Sequence, residues 1–595
     1  MKNLILFAAV AAFFCRCDSR LETLPAATYQ TVCNPFNISY MFQQQGLPQQ
    51  YREGADPTVV LFGDEYYAFV SHSGGYFHST DLINWDLIVP NSVFPTGVFA
   101  PTTVVIDGEI YLIASQVRQV VKTADPKSGV WEVANPNFKI IISDPALFLD
   151  DDGRLYYYGG CSNVEPVRGY ELDPKTFEPI SEEIPFIYGH PKEYGWEEKT
   201  DYNLPNDSIA PHIEGAWMNK YNGKYYLQYA APGTELKSYN DGVYVSDKPL
   251  GPYTLAEHNP FSYKPEGFTC GAGHSSTFQD RYGNYWHIAT SSISVRHPFE
   301  RRLSLFPLFF DGDGEMYAYT GFGDYPMILP DRKINAPEEL FPDWMLLSYG
   351  KKVEVSSILP EYKTETEVFG TMVKQIRNCE PRNINDEEIR TWWSAETGGS
   401  DEWFFMDLDG LSDIYALQIN FADEGSTLKG RSDSIFYRYT IEASADKKHW
   451  ETVVDRSNNT VDMPHDYIQL PRPVKARYLR VKNIYCPSGK FSVSDFRVFG
   501  KSDKAAPKPV QSFTVERDAA DRRTVHLKWD ALPEATGYNI RFGTRADKLY
   551  HNYIVYRTGK LSIHSLNAGK DYFFSIDAFN EGGITKGTAT ALVRY

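Results

Sequence analysis

The sequence has few cysteines, and it has no long apolar run beyond its first fifteen residues. Of its seven cysteines, Cys15 and Cys17 lie in the leading segment, and the others are widely spaced without a Cys-x-x-Cys pair: Cys33, Cys161, Cys270, Cys379 and Cys486. This spacing excludes a dense disulfide framework and a structural zinc site. No later run approaches the roughly 18 apolar residues that a membrane-spanning helix needs, so no transmembrane segment is predicted.

Basic residues are also in deficit, with 59 Lys and Arg against 77 Asp and Glu, for a net charge of -18. This balance argues against a nucleic-acid partner, which is held largely by phosphate contacts to basic side chains. Aromatic residues are abundant at 15% of the 595 positions, together with 43 Gly and 37 Pro. Such a composition favours strands joined by turns, and therefore an all-β fold.

The first residues have a different character from the rest of the chain. Lys2 is followed by an apolar stretch from Leu4 to Cys15, and then by Arg16 and Cys17. This pattern predicts an export signal over residues 1–17. Cys17 resembles the lipidated cysteine of bacterial lipoproteins, although the residues just before it fit that pattern poorly. The alternatives are a periplasmic protein and one anchored to the outer membrane by lipid.

One pattern occurs five times, with a polar start, a β-branched run, a turn glycine and an aromatic strand. The second residues of the copies are Asp56, Pro101, Asp144, Glu214 and His274, and the turn glycine follows them by 7, 7, 9, 9 and 9 residues. Each copy is typical of a β-hairpin. Copies 45, 43, 70 and 60 residues apart leave room for four strands each. They predict a five-bladed β-propeller over residues 35–330.

The innermost strands of a propeller line its central channel, so Asp56, Asp144, Glu214 and His274 are expected to converge. Taken singly, the two Asp-Pro pairs are turn starters and Glu214 is a solvated loop residue. Their shared position in the repeat favours a titratable site instead. The run Asp150–Asp152 is interpreted as a hairpin turn, with a calcium site as the alternative.

Two carboxyl groups that face each other across a sugar can hydrolyse a glycosidic bond. One protonates the leaving oxygen, and the other activates water. A separation of about 6.5–9.5 Å leaves room for that water and inverts the anomeric configuration. A third carboxylate beside the acid raises its pKa by like-charge repulsion.

The motifs Ala55-Asp56-Pro57, Ser143-Asp144-Pro145 and Glu214-Gly215 resemble glycoside hydrolase family 43, as do residues 79–85 and Phe99-Ala100-Pro101. The resemblance implies Asp56 as general base, Glu214 as general acid and Asp144 as the residue that orients the acid and raises its pKa. His274 matches a histidine that lies near a metal or ordered water in relatives, the alternative being a hydrogen-bonded structural histidine. No cofactor is implied as a requirement, and calcium in the channel is an alternative.

The chain departs from many family members at Phe99 and at Ala216, where relatives have Trp and Pro. Arg296 lies where relatives place an arginine that contacts sugar hydroxyls, or it is a solvated loop charge. Phe77, Phe99 and Trp217 are candidate surfaces for stacking on a sugar, with strand packing as the alternative. Substrate selectivity is expected in the long loops, including residues 190–205.

Residues 347–500 resemble a discoidin-like (coagulation factor type C) β-sandwich, a class that often binds carbohydrate. Trp392 and Trp393 are candidates for sugar stacking, although adjacent strand residues point to opposite faces and one of them is expected in the core. A disulfide between Cys379 and Cys486 is the less favoured alternative to two free thiols.

Residues 501–509 are rich in Pro and Lys and are predicted to be a linker. Residues 510–595 resemble a fibronectin type III β-sandwich, in which Trp529 and Tyr572 occupy positions typical of buried core aromatics. Its expected role is that of a spacer.

Together these patterns predict an exported, inverting glycoside hydrolase. It would remove arabinofuranosyl or xylosyl units from plant cell-wall glycans, with accessory domains that dock on the glycan. The alternatives are a non-catalytic glycan-binding protein and a galactan-specific hydrolase that uses the same cleft. Binding alone gives no reason to place three acids on one axis, so hydrolysis is favoured.

Overall fold

The computed structural model describes residues 21–43, 50–206, 208–368 and 371–595. The predicted export signal, residues 1–17, lies outside the described residues. The fold is all-β, as predicted, and short 3-10 turns are the helical elements seen: Pro126–Ser128, Gly195–Glu197, Asp201–Asn203, Pro337–Leu340 and Pro381–Ile384. No helix in the described part of the chain is both long and apolar enough to cross a membrane.

Four short strands precede the repeats: β1 Glu22–Thr23, β2 Thr31–Val32, β3 Met41–Gln43 and β4 Tyr51–Glu53. Blade 1 contains β5 Thr58–Phe62, β6 Glu65–Phe69, β7 Tyr76–Ser79 and β8 Asp86–Ile88. Blade 2 contains β9 Thr102–Ile106, β10 Glu109–Ile113, β11 Val120–Thr123 and β12 Glu132–Asn135.

Blade 3 contains β13 Ala146–Leu149, β14 Leu155–Gly159, β16 Val167–Leu172 and β17 Ile184–Ile187, while the intervening β15 Cys161–Ser162 pairs with blade 4. Blade 4 contains β18 Ile213–Tyr221, β19 Lys224–Ala231, β20 Asn240–Ser246, β21 Thr254–Leu255 and β22 Ser262–Tyr263. Blade 5 contains β23 Gly273–Gln279, β24 Tyr285–Ser292, β25 Arg301–Phe310 and β26 Met316–Ala318.

The blades are arranged around a central channel. Within each blade consecutive strands pair antiparallel. The innermost strands touch in sequence, β5 with β9, β9 with β13, β13 with β18, and β18 with β23, and β23 returns to β5. The aromatic strands behind them are buried and form the packing between blades, as in β14, whose five residues are all buried. This ring is the five-bladed propeller that the repeats predict, and it brings the starts of the inner strands together.

After β27 Met327–Ile328, a second unit is built on one nine-stranded sheet. Strand β1 joins this sheet by pairing with β36, so the amino-terminal segment belongs to the second unit. Besides β1, the sheet contains β28 Met345–Leu346, β29 Lys352–Val355, β32 Trp393–Ser394, β33 Trp403–Phe421, β34 Arg438–Ser444, β35 Glu451–Asp455, β36 His465–Tyr485 and β37 Ser492–Ser502. Strands β30 Tyr362–Val368 and β31 Thr371–Arg377 form a separate two-stranded sheet of the same unit.

The two tryptophans and the two cysteines singled out in this unit are all placed by the structure. Trp393 is fully buried and Trp392 is only 5% exposed, so neither indole presents a face for stacking on a sugar. Trp392 donates to Glu424 instead, at 3.1 Å. Cys379 and Cys486 are both free thiols. The alternative of a disulfide between them is therefore wrong in this structure.

The third unit packs one three-stranded and one five-stranded sheet. Trp529 and Tyr572 are both buried in its core, and the amide of Asn567 hydrogen-bonds the Tyr572 hydroxyl at 3.1 Å. Its strands are β38 Phe513–Arg517, β39 Val525–Trp529, β40 Gly537–Gly543, β41 His551–Tyr556, β42 Lys560–Ile563, β43 Tyr572–Asn580, β44 Gly583–Thr585 and β45 Ala591–Val593.

Both accessory units are held to the propeller by buried polar contacts. Arg52, which lies in β4, binds Asp423 and Asp462 of the second unit at 2.8 and 2.6 Å. The indole of Trp196, in the loop before β18, donates to Asn567 of the third unit at 2.9 Å. Because such groups are costly to bury without partners, these contacts favour one fixed arrangement of the units.

Candidate active site

The four residues predicted to converge do so at one end of the channel. Asp56 and Asp144 directly precede the inner strands of blades 1 and 3, and Glu214 and His274 begin those of blades 4 and 5. Asp56, Asp144 and His274 have positive φ angles of 51°, 54° and 43°. A left-handed backbone at a non-glycine residue costs about 1–3 kcal/mol and is concentrated at functional sites. The repeat therefore imposes one strained conformation on three of the candidate residues.

Glycine at position 215 lets this end of the channel close. Gly215 has φ 60°, and a Cβ placed on it would lie 2.6 Å from Cγ of His274. Any side chain there would displace the imidazole from the carboxylates. The Glu214-Gly215 motif thus has a direct structural cause.

Asp56 is held as a carboxylate. Its Oδ2 accepts a hydrogen bond from Ser71 at 2.6 Å, and its Oδ1 lies 3.3 Å from Nη1 of Arg301 and 3.2 Å from Nδ1 of His274. Burial by itself would raise the pKa of Asp56. Arg301 and His274, together with the serine, outweigh that effect and hold the pKa below its ordinary value. Asp56 is therefore ionised at neutral pH.

Asp144 is equally buried but titrates in the opposite direction. Burial raises the pKa of Asp144 to about 7; the nearby charge of His274 opposes this, and the charges of Glu214 and Asp56 add to it. Ser115 donates to Oδ1 at 3.2 Å. A carboxyl group with this pKa retains a proton near neutral pH.

Glu214 is oriented by two donors that reach different oxygens. The Tyr239 hydroxyl donates to Oε1 at 2.6 Å, and the Cys161 thiol contacts Oε2 at 3.1 Å. Cys161 is on β15, directly across from Glu214 in β18. One carboxylate oxygen of Asp144, one of Glu214 and the Sγ atom of Cys161 all lie within 4.8 Å of one another. The two carboxyl groups and the thiol thus form one compact cluster.

His274 bridges the two sides of the site. Its Nδ1 lies 3.2 Å from Asp56 and 3.7 Å from Asp144, and its backbone amide donates to Asp241 at 2.9 Å. Burial lowers the pKa of His274, but the surrounding acids, Asp56 first, raise it above its ordinary value. Nδ1 thus faces two carboxylates, an arrangement that stabilises the protonated imidazole. A metal ion at His274 stays a prediction.

Arg301, and not Arg296, is the guanidinium at the acids. Arg301 lies in β25 and also contacts Glu53 at 2.6 Å and Thr234 at 3.2 Å. Arg296 instead pairs with Glu300 at 2.7 Å and packs over the ring of Trp392 in the interface with the second unit. The structure thus places Arg296 away from the carboxyl cluster.

The three candidate stacking residues occupy different environments. Phe77 is 1% exposed in the core of blade 1. Trp217 packs in the core next to blade 4 and donates to the carbonyl of Thr277 at 3.2 Å. Phe99 is half-buried, with His72 at a centroid distance of 4.0 Å. Because His72 also lies 3.4 Å from Glu53 beside Arg301, Phe99 is the candidate whose position adjoins the acids.

Sequence reasoning did not single out Tyr239, Arg301 or Cys161. Tyr239 and Cys161 lie outside the repeated positions, so no periodicity marks them. Arg301 does leave a signal, because Glu300, Arg301 and Arg302 open an otherwise apolar strand and all three are buried. Buried charges at the start of such a strand require partners, and here the partners include the catalytic candidate Asp56.

The run Asp150–Asp152 forms the turn between β13 and β14, as predicted. Lys220 contacts Asp150 and Asp151 at 2.5 and 2.9 Å, and the Tyr225 hydroxyl donates to Asp150. An ammonium group therefore occupies the side of the turn where a calcium ion would bind. This donor set does not fit the calcium alternative.

Comparisons with known proteins match two regions of the chain. Residues 49–316 match the family described as Glycosyl hydrolases family 43, and residues 370–493 match the F5/8 type C domain. Both resemblances are thereby confirmed for these regions. The first match covers all four residues of the site, and the second lies within the nine-stranded unit.

Individual relatives match over part of their length. A beta-xylosidase from Xylanibacter ruminicola is 30% identical over 171 residues, which are 25% of this chain and 52% of that protein. A xylosidase/arabinosidase from Butyrivibrio fibrisolvens is 27% identical over 274 residues, 40% of this chain and 49% of that protein. The chain thus spans about half the length of the curated relatives it matches. Among solved structures, a thermostable family-43 glycoside hydrolase has a TM-score of 0.40 and 20% identity, covering 50% of this chain and 100% of that one.

Proposed function

We propose that this protein is an inverting glycoside hydrolase that removes α-L-arabinofuranosyl or β-D-xylosyl units from plant cell-wall glycans. One observation carries the proposal. Two buried carboxyl groups at equivalent positions of the repeat have pKa values displaced in opposite directions, Asp56 downward and Asp144 to about 7. In glycosidases an ionised carboxylate and a protonated carboxyl group divide the base and acid roles, and here the protonated Asp144 lies beside Glu214, the residue assigned as the acid.

Asp56 is assigned as the general base. It is ionised, and Ser71 and Arg301 fix both of its oxygens. In this role it accepts a proton from a water molecule as that water attacks the anomeric carbon. The contacts that keep its pKa low also keep the carboxylate in one orientation, which favours attack from a single direction.

Glu214 is assigned as the general acid, with Asp144 as its partner. Tyr239 takes one oxygen of Glu214, which leaves Oε2 on the side of Cys161 to deliver the proton to the leaving oxygen. Asp144 itself keeps a proton near neutral pH because burial, together with the charges of Glu214 and Asp56, raises its pKa to about 7. His274 then balances the negative charge that remains.

The choice of sugar is supported by the names of the relatives, which include xylosidases and arabinosidases. A purely glycan-binding role is less favoured, because binding does not require oppositely titrating acids. The F5/8 type C region is proposed to dock the enzyme on its glycan. The third unit is proposed to be a fibronectin type III-like spacer, supported by the contact between Tyr572 and the Asn567 backbone. Export to the periplasm, free or as a lipoprotein, completes the proposal.

The test is hydrolysis of p-nitrophenyl α-L-arabinofuranoside, β-D-xyloside and β-D-galactoside, with Asp56→Asn as the control. We expect release from one of the first two, with loss in the variant, and a product whose first detectable anomer by NMR has inverted configuration. Release from the galactoside alone would replace the proposed sugar. No release from these substrates or from arabinoxylan oligosaccharides would leave the glycan-binding alternative.

A further inference from the structure

A cleft lies where the propeller, the segment that follows it, the second unit and the third unit meet. Its volume is about 800 Å³, within the range of about 300–1,000 Å³ that is usual for small-ligand sites. We call it the junction cleft, and its walls include Tyr317, Tyr319, Phe341, Asn539, Arg541 and Tyr550. Tyr317 belongs to β26, the outermost strand of blade 5. The junction cleft is therefore separate from the inner strands that carry the acids.

Aromatic rings form one part of the wall. Tyr317 of the propeller and Tyr550 of the third unit are stacked, with centroids 3.8 Å apart and an interplanar angle of 4°. Tyr319 and Phe341 are half-buried beside them. Rings that are held in place and partly exposed provide a rigid apolar surface at low entropic cost. Tyr317 and Tyr550 cover each other's inner faces, and Phe309 is stacked with Tyr317 as well. The half-buried rings of Tyr319 and Phe341 are therefore the surface on which the carbon-bound hydrogens of a sugar ring can pack.

A buried amide supplies an unused acceptor. Asn539 is 2% exposed, and its Nδ2 donates to Oδ1 of Asn552 at 2.9 Å. Its own Oδ1 has no hydrogen-bond partner among the described residues. A buried acceptor without a donor is unfavourable, and such groups are normally satisfied in the functional state. The hydroxyl group of a bound ligand is a suitable donor.

The charges of the wall are largely neutralised within the protein. Arg541 pairs with Asp577 at 2.7 Å, and Lys586 pairs with Glu338 at 2.9 Å. A charged ligand would have to compete with these ion pairs. A neutral ligand rich in hydroxyl groups can instead add hydrogen bonds to them, since paired carboxylates and guanidinium groups retain free lone pairs and N–H groups.

From these observations we infer that the junction cleft is a second carbohydrate-binding site, which holds a segment of a neutral polysaccharide away from the catalytic channel. The inference rests on the proposed function for the choice of glycan. The propeller and the third unit then bind one polysaccharide together, and the active site removes side groups from that polysaccharide. The third unit then contributes binding surface in addition to its role as a spacer.

The experiment uses the full chain carrying Asp56→Asn, so that the glycan is not consumed. Retention in native gels that contain wheat arabinoxylan, birchwood xylan or sugar-beet arabinan gives an apparent dissociation constant. Tyr319→Ala removes one ring of the cleft, and Ser502→Trp fills the cleft from its wall, with the loss of one hydrogen bond that the Lys504 amide donates to Ser502 Oγ at 3.3 Å. Tyr595→Ala is the matched control, because this tyrosine is 71% exposed and lies outside the cleft.

We expect both cleft variants to weaken retention at least tenfold on one of these glycans, with the control unchanged and thermal unfolding confirming folded protein. Equal retention by all four proteins, or no retention of the parent on any glycan, would overturn the inference. The outcome is separable from that of the proposed function. Hydrolysis of the aryl glycosides with unaltered retention in the cleft variants rejects only the second site, whereas cleft-dependent retention without hydrolysis rejects only the enzyme.

Discussion

Asp56 and Asp144 are nearly the same residue placed in two different blades. Both precede proline, both have φ near 50° at 51° and 54°, and they are 5% and 8% exposed. A serine donates to each of them, Ser71 and Ser115. Yet the pKa of Asp56 is lowered, and that of Asp144 is raised to about 7. Equivalent positions in a repeat thus determine where a side chain points without determining its charge.

The difference lies in the neighbours. Arg301 contacts Asp56 from blade 5, whereas Asp144 lies in a cluster with Glu214 and the Cys161 thiol. His274 contacts both aspartates and so does not distinguish them. At similar burial, a cation favours the ionised carboxylate and a second acid favours the protonated one. The propeller therefore makes one of two matched aspartates a carboxylate and keeps the other protonated through the residues that it places beside each of them.

The largest effect is expected from Asp56→Asn. An amide cannot accept the proton of the attacking water, so kcat should fall by about 10³-fold, within the range of about 10²–10⁴ for loss of a general base. Steady-state hydrolysis of the preferred aryl glycoside measures this fall. Asp64→Asn in the exposed turn of the same blade is the matched control and should be unaffected. A residual rate within tenfold of the parent would remove Asp56 from the base role.

Asp144→Asn should have a smaller effect that depends on pH. The pKa of Asp144 is raised to about 7, so its charge changes across neutral pH, and we expect this change to set the alkaline limb of activity. A neutral amide carries no charge that would repel Glu214, so the alkaline limb of kcat/KM should move to lower pH, with a loss of about 10–100-fold at pH 7.

The matched control is Asp152→Asn, in the exposed turn that follows Asp144 along the same blade. Its pH profile should coincide with that of the parent. If Asp144→Asn lowers the rate equally at every pH from 5 to 8, the carboxyl group orients Glu214 but does not hold its proton.

Arg301→Lys tests the other half of the comparison. A lysine keeps the charge but cannot contact Asp56, Glu53 and Thr234 together as the guanidinium does. The pKa of Asp56 should rise, and the acidic limb of kcat/KM should move to higher pH by about half a unit to one unit. Arg296→Lys, in the interface with the second unit, should leave that limb in place. The reverse result would restore Arg296 as the arginine of the site.

Much of the site could be predicted from the sequence, because four of its residues occupy the same position of the repeat: Asp56, Asp144, Glu214 and His274. The arginine could not, because Arg296 and Arg301 are five residues apart and the sequence does not show that β25 begins at Arg301 and leaves Arg296 in the preceding loop. The aromatic candidates differ from one another for a similar reason, because Phe77 lies in the core of blade 1 whereas Phe99 adjoins the acids. For a phenylalanine in a strand, such as Phe77, the sequence does not indicate whether the ring faces a core or a cleft.

One motif used in the sequence comparison also proves to be less specific than it looked. Residues 79–85 and 444–450 share the pattern Ser-x-Asp-x-x-x-Trp, in the propeller and in the second unit. Asp81 accepts from the amides of Ile83 and Asn84, and Asp446 accepts from those of Lys448 and His449, all at 2.8 to 2.9 Å. The pattern therefore describes a turn that both folds use, and the acids carry the family signal.

The smallest effect is expected at Cys161, and it refines the view of the acid side. Tyr239 and Cys161 hold the two oxygens of Glu214, but a thiol is a weak donor and its contact is longer, 3.1 Å against 2.6 Å. Cys161→Ala should lower kcat less than threefold, whereas Tyr239→Phe should lower it about tenfold, since a hydrogen bond to a charged group contributes about 1.5–3 kcal/mol. Both are measured with a natural linkage, which depends on the acid more than an activated aryl glycoside does. Equal losses would mean that the contact of the thiol with Oε2 matters as much as the hydrogen bond of Tyr239 to Oε1. Cys161 would then be a residue that positions the general acid.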